Sequence, residues 1–277
     1  MLASMELLRK PYKTDLSDAE WNLVEPLLPP QKNCGRPTKV DFREILNGIS
    51  YILTTGTQWH LLPHDFPPSG TVYYYFWSWR NCGLWQDIYE VLRQRERVRA
   101  QRDPHPSGGC LDSQSVKTTG VGGAARGFDG GKKVKGRKRH LLVDTLGLVV
   151  ALVITAAHVS DQAGARLVFA RRGAAGAKLQ KVWVDGTYGG GAWRAEVKRE
   201  YGIELEVTKR PEGSKGFSVI RKRWVVERSF GWGSQARRLV LDYEKTVESS
   251  AALYWRRMSR VLLRRQAAEQ GERETVA

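Results

Sequence analysis

The chain has 277 residues, 41% of them hydrophobic and ten of them tryptophan, which allows a sizeable core and excludes global disorder. No apolar run reaches bilayer-spanning length, the N-terminus lacks the apolar stretch of a secretory leader, and three scattered cysteines argue against a disulfide framework or a zinc site. The net charge of +16 points instead to a polyanionic partner, nucleic acid before membrane, with a cytoplasmic location.

The first hundred residues read as helices. "LSDAEW" offers Ser17 as N-cap with Glu20 three positions later, a capping box whose helix ends at "PLLPP". "DFREILNGISYILTTG" spaces Phe42, Ile45, Leu46, Ile49, Ile52 and Leu53 for one helix face, with Gly56 as the stop. "TVYYYFWSWRNCG" and "LWQDIYEVL" predict two more, the last running on through "RQRERVRAQRDP" to Pro104 as an exposed helical linker over 93–109. Short helices at this spacing suit a helix-turn-helix-like DNA reader, though many helical bundles look the same.

From residue 110 the period changes. "CLDSQSVKT" is strand-like, and "RKRHLLVDTLGLVVALVITAA" reads as a hairpin turning at "DTLG". A helix capped by Ser160, the strand "KVWVDG", a helix closed by Gly202, the strand "IELEV" and a helix over "RKRWVVERSFGWG" follow, which predicts a mixed α/β sheet with helices on its faces. Positive charge concentrates in two windows: 117–140 holds eight basic residues against one acid, and 221–238 six against one. Six glycines in residues 120–131 predict a mobile loop ahead of the basic block "KKVKGRKRH", either a phosphate-binding segment or a passive linker.

Three acids stand out at element ends. Asp112 lies in the first strand, Asp185 where an apolar strand gives out, and Glu227 on the basic helix. Carboxylates gathered from neighbouring strands and a covering helix make an all-oxygen site for Mg2+ or Mn2+, and two such ions serve phosphoryl transfer. Each acid also has a plain structural role open to it: a turn at Ser113, a helix start at "DGTY", or an ion pair with Arg223 four residues back. Asp129, Asp144 and Asp161 are rivals, the last two in good turn and cap contexts.

Together, the ordered segments "YKTDLSDAEWNLVEPLLPP", "GRPTKVDFREILNGISYILTTGTQWHLLPHDFPP", "LDSQSVKT", "KKVKGRKRHLLVDTLGLVVALVITAAHVSD", "VWVDGTYGG" and "RWVVERSFGW" resemble the DDE transposases of the bacterial insertion-sequence-four/five superfamily. The resemblance implies a ribonuclease-H-like mixed sheet flanked by helices over 110–265. It also implies a helical DNA-end-binding domain over 1–92, and a polar tail remains over 266–277. Asp112, Asp185 and Glu227 would be the catalytic acids holding two Mg2+ ions. Strand cleavage at terminal inverted repeats, transfer into target DNA and a homodimer on DNA would follow. Lys132, Lys133, Lys135, Arg137, Lys138, Arg139, Arg223 and Arg228 would grip phosphates. Trp232 and Trp224 would stack on bases, core packing being the alternative for both. Arg223 fits the Arg of the family's Tyr/Arg/Glu/Lys signature; Ile220 and Ser234 depart from its aromatic and lysine. Tyr188 as a covalent nucleophile is a minor alternative, and His60 and His64 read as packing or turn residues. Rival readings are a catalytically inactive DNA-binding relative and a structure-selective metal nuclease.

Overall fold

In the computed structural model, residues 9–30, 40–120, 122–208 and 223–276 are described, with side chains to residue 268. Ile220 lies outside them. The predicted capping box forms: the Ser17 hydroxyl accepts from the Glu20 amide and the Glu20 carboxylate from the Ser17 amide, opening α1 (Asp18–Val24). Helix α2 (Phe42–Thr55) buries Ile45, Leu46, Ile49, Ile52 and Leu53, with Phe42 partly buried, and stops at Gly56 in a left-handed conformation. Helices α3 (Ser69–Asn81) and α4 (Leu84–Arg99) follow, joined through a second left-handed glycine, Gly83.

The 93–109 segment is exposed only in part: Arg95 and residues 98–103 reach solvent. Arg93, Glu96 and Arg97 of α4 are buried, because each has found a partner the local pattern does not reveal. Arg93 bonds Glu90 and the Pro104 carbonyl, Arg97 bonds Asp144 and the Asp103 carbonyl, and Glu96 pairs with Arg99 and Arg265.

The sheet comprises β1 (Gly108–Lys117), β2 (Gly127–Asp129), β3 (Val134–Asp144), β4 (Val149–Ala156), β5 (Lys181–Val184) and β6 (Glu204–Val207). Strand β3 lies antiparallel between β1 and β4; β5 and then β6 add in parallel beyond β1, and β2 pairs only with the start of β3. Helices α5 (Asp161–Ala170) and α6 (Gly191–Tyr201) cover one face, sealing Leu111, Leu142, Val153, Val182 and Val184. The other face, with Cys110, Leu141, Val143 and Trp183, packs under α7 (Trp224–Ser234), α8 (Arg237–Val240) and α9 (Val247–Val276). The same apolar cluster takes in the N-terminal helices, and α9 lies against both α1 and α4. This is a ribonuclease-H-like fold preceded by a helical region, as expected. The helix α9 continues to Val276 through the stretch read as a polar tail.

The glycine-rich stretch is anchored rather than free. Arg137, wholly buried, donates to the carbonyls of Gly122 and Ala125 and so ties the loop to the sheet. Among the described residues no helix is long and apolar enough to cross a membrane.

Candidate active site

Side chains alternate along β1, so Cys110 and Asp112 point to the same face, the one covered by α7. Strand β5 pairs with β1 in parallel, with Cys110 opposite Trp183. Two residues past that pair come Asp112, still inside β1, and Asp185, just past the end of β5. The two acids therefore lie near one another, close enough for the Asp185 charge to act on Asp112. Asp185 follows the last residue of β5 and accepts from the Thr187 amide at 2.9 Å and from its hydroxyl, which fixes the carboxylate at the strand end. Asp112 accepts from the Ser113 amide at 2.7 Å, and its side chain is 17% exposed.

Glu227 lies in the first turn of α7 with its side chain 49% exposed. Arg223 stands at the start of that helix, and one of its terminal nitrogens reaches Asp112 at 3.2 Å and Glu227 at 3.8 Å. One guanidinium thus links the acid of β1 to the acid of α7. Burial pushes the Asp112 carboxyl above its ordinary range, and the neighbouring Asp185 charge adds to that, while Arg223 and Lys132 oppose it. A carboxylate in this condition favours any cation that enters. Among the described residues no three His, Cys, Asp or Glu side chains stand together so as to hold a metal ion. The three acids offer carboxylate oxygens, the chemistry a hard divalent ion takes, and Arg223 places positive charge between Asp112 and Glu227.

The rival acids have structural partners. Asp144 is fully buried and accepts from Arg97 and from the Leu146 and Leu148 amides, holding the β3–β4 turn. Asp129 accepts from the Gly131 and Lys132 amides and from Ser115, and Asp161 accepts from Ser113 and Lys138. Tyr188 is buried on the α5 face, and burial raises its hydroxyl well above the ordinary value. Its burial argues against the alternative in which it attacks DNA.

The basic residues divide. Lys132, Lys133 and Lys135 are exposed in the turn and at the start of β3, and the Lys132 ammonium donates to the Ser113 carbonyl at 2.8 Å, beside Asp112. Contrary to the expectation, Arg137, Lys138 and Arg139 are buried in the sheet and not open to a phosphate, although two nitrogens of Arg139 have no hydrogen-bond partner there. Arg137 pairs with Asp242, Lys138 with Asp129 and Asp161, and Arg139 donates to the Leu239 carbonyl. Arg228 is half-buried; it donates to the Leu146 carbonyl and lies over the rings of Trp224 and Trp232 at 4.2 and 4.8 Å. Trp232 also carries Arg265 at 4.4 Å and packs against the core, which favours the packing alternative for that ring. Trp224, 40% exposed three residues before Glu227, keeps an open surface. Sequence reading gave Lys132 no place of its own in the basic block, and only its closeness to Asp112 singles it out.

An acid midway along β1, another just past the parallel β5 and a third on the covering helix sit within a sheet and helix arrangement of the ribonuclease-H-like class. Residues 103–262 match the family described as "Transposase DDE domain", and the chain belongs to it. Residues 16–89 match a second, described as "Putative transposase of IS4/5 family". The chain is 36% identical over 117 residues to the insertion element IS402 uncharacterized 16.2 kDa protein of Burkholderia cepacia, which covers 40% of this chain and 78% of that protein. It is 31% identical over 124 residues to a protein named "Putative transposase for insertion sequence element IS402" from the same organism, covering 42% of this chain and 58% of that relative.

Proposed function

We propose that the protein binds the terminal inverted repeats of an insertion sequence, cleaves a strand at each end and joins the released 3′-hydroxyl to target DNA. Asp112, Asp185 and Glu227 are the residues to hold two Mg2+ ions, with Mn2+ as a substitute. The observation that carries this reading is the closeness of Asp112 and Asp185, each two residues past the paired Cys110 and Trp183, with Arg223 tying Glu227 to Asp112. Bound ions would supply activation of a water or hydroxyl and neutralisation of charge developing at phosphorus.

The chain's own groups do the rest. Arg223 bridges Asp112 and Glu227, and with divalent ions on those acids its guanidinium would be free for a phosphate oxygen. Lys133 and Lys135 hold the strand over the acids and Lys132, held at the Ser113 carbonyl, serves the acids beside it, while Trp224 offers a ring to a base at the cleaved end. Joining two ends calls for two copies, so a homodimer on DNA is part of the proposal, as is a nucleoid-associated, cytoplasmic location.

The test is labelled duplex carrying the element's ends, incubated with purified protein and Mg2+. Wild type nicks and then joins. Asp112→Asn, Asp185→Asn and Glu227→Gln each lose about 10²-fold or more of the nicking rate while still binding. Undiminished cleavage in these variants would overturn the assignment of the acids. Wild-type binding without cleavage would make the protein an inactive DNA-binding relative, and cleavage without joining a nuclease.

A further inference from the structure

A second cluster of cations has no counterpart in the site above. On α9, Arg256, Arg257, Arg260 and Arg264 line a cavity of 160 Å3, closed on its other sides by Ser50, Thr54 and Thr14 and by Gln235 just past the end of α7. The floor is buried, with Arg256 and Arg260 only 2% and 7% exposed, while Thr54, Gln235 and Arg264 are exposed at the rim. The volume is more than ten times what one water needs.

The bonding of these guanidiniums is incomplete. Arg256 donates to the Ser50 hydroxyl at 2.6 Å, but its Nε is buried without a partner. Arg260 donates to the Asp15 carbonyl and reaches Glu20 at 3.2 Å, but one terminal nitrogen is likewise buried and unpaired, as is the Thr14 hydroxyl. Arg257 bonds only neutral oxygens, the Trp232 carbonyl and the Gln235 amide. Glu20 answers Arg260 and Arg264, and Asp15 is paired with Arg9. Neither Arg256 nor Arg257 has a carboxylate partner among the described residues. Burial, then the neighbouring arginines, push Arg256 down to about 9 and Arg257 to about 10; burial pushes Arg260 to about 10, with Glu20 opposing and Arg264 adding. Positive charge so placed is costly until an anion joins it.

We propose that this cavity is an oxyanion site that takes one phosphate group. Arginine N–H groups and hydroxyls converge on it as donors beside the apolar Leu53, which suits a tetrahedral oxyanion better than a cation or a wholly apolar ligand. The group could belong to a DNA backbone or be free phosphate. Its position favours DNA: Gln235 lies eight residues, about 12 Å of helix, beyond Glu227 on α7. Arg228 and Arg265 both lie over the ring of Trp232 on the same helix. For that source alone the inference rests on the DNA reading above.

The experiment uses the full chain. Inorganic phosphate is exchanged for chloride at fixed ionic strength and pH while thermal unfolding is followed. A saturable rise in Tm of about 3 °C or more is expected for wild type. Thr54→Asp, which places a carboxylate at the rim, should abolish the rise, and Arg264→Gln should reduce it. General exclusion of phosphate from protein surfaces would raise wild type and Thr54→Asp alike, and that result overturns the proposal, as does no rise beyond chloride. In a parallel measurement, duplex affinity is read against salt. A slope smaller by about one in both variants assigns the group to the DNA backbone, and an unchanged slope with the Tm rise intact assigns it to free phosphate. If wild type binds no duplex yet responds to phosphate, the DNA reading fails and the cavity stands.

Discussion

The basic block of residues 132–140 splits into two halves of similar composition and opposite fate. Lys132, Lys133 and Lys135 reach solvent, whereas Arg137, Lys138, Arg139 and His140 are all buried. The break falls where β3 changes neighbours. Up to Gly136 it pairs with the three-residue β2, and from Arg137 onward it lies between β1 and β4 with helices on both faces. A cation in the first half meets water or a ligand. One in the second must find an internal partner, since an unpaired buried charge costs several kcal/mol. A run of positive charge is therefore no single surface, and the strand pairing decides which part can face DNA.

Removing the best-connected buried cation should break the second half most severely. Arg137 pairs with Asp242 at 3.0 Å and donates to the Ala125, Glu244 and Lys245 carbonyls. Arg137→Met leaves Asp242 buried without its cation and should cost about 3–5 kcal/mol in denaturant unfolding. His140 gives the next largest effect, read as a pH dependence. Burial, with Lys138 and Lys132 adding and Asp161 opposing, pushes it down to about 4. The unfolded chain, titrating near 6.5, then binds the extra proton first. Stability is full above about pH 6.5 and falls by about 3 kcal/mol as the pH drops to about 4. His140→Gln should flatten that window. The depressed Asp129 carboxylate also loses stability on acidification, but below its unfolded value of 3.8, so the two effects separate on the pH axis.

Much of this architecture was legible in the residues. The capping box at Ser17, the stops at Gly56 and Gly202, and the hairpin at Asp144–Gly147 are local features, and each formed where its chemistry places it. The candidate acids could be singled out because Asp112 and Asp185 end or interrupt apolar strands. What could not be read was which cations turn inward. Arg137 finds Asp242 more than a hundred positions away, and Arg97 finds Asp144 across the junction of the helical region and the sheet. Period-2 alternation fails as a guide on β3, because a central strand covered on both faces has no solvent side. The same holds for the arginines of α9, whose partners Ser50, Asp15 and Glu20 lie some two hundred residues upstream.

A smaller perturbation sharpens the buried half without touching a charge. A methyl group at Gly164 of α5 would stand 2.0 Å from the His140 ring. Gly164→Ala should therefore cost about 1–3 kcal/mol by overpacking. If the helix shifts instead, the pH window of His140 should move with it, because the ring would gain access to water. Equal pH profiles with unchanged stability would mean that the α5 face is looser than its close contacts indicate.

The exposed half predicts the smallest structural effect and a distinct functional one. Lys133 lies at the turn that Asp129 holds through the Gly131 and Lys132 amides, with a φ of 54° that few non-glycine residues adopt. The Lys133 side chain is exposed, so Lys133→Gln keeps the backbone and removes only the charge. The melting temperature should stay within about 2 °C of wild type. Duplex affinity plotted against salt should lose about one unit of slope, with no change in sequence preference. Lys135→Gln should repeat the result, and the double variant should add the two, since each cation meets its own phosphate. Lys132→Gln should behave differently. Its ammonium is held at the Ser113 carbonyl beside Asp112, so its loss should lower cleavage by more than it lowers binding. Identical slopes and rates for all three lysine variants would erase the distinction between a lysine that holds DNA and one that serves the acids.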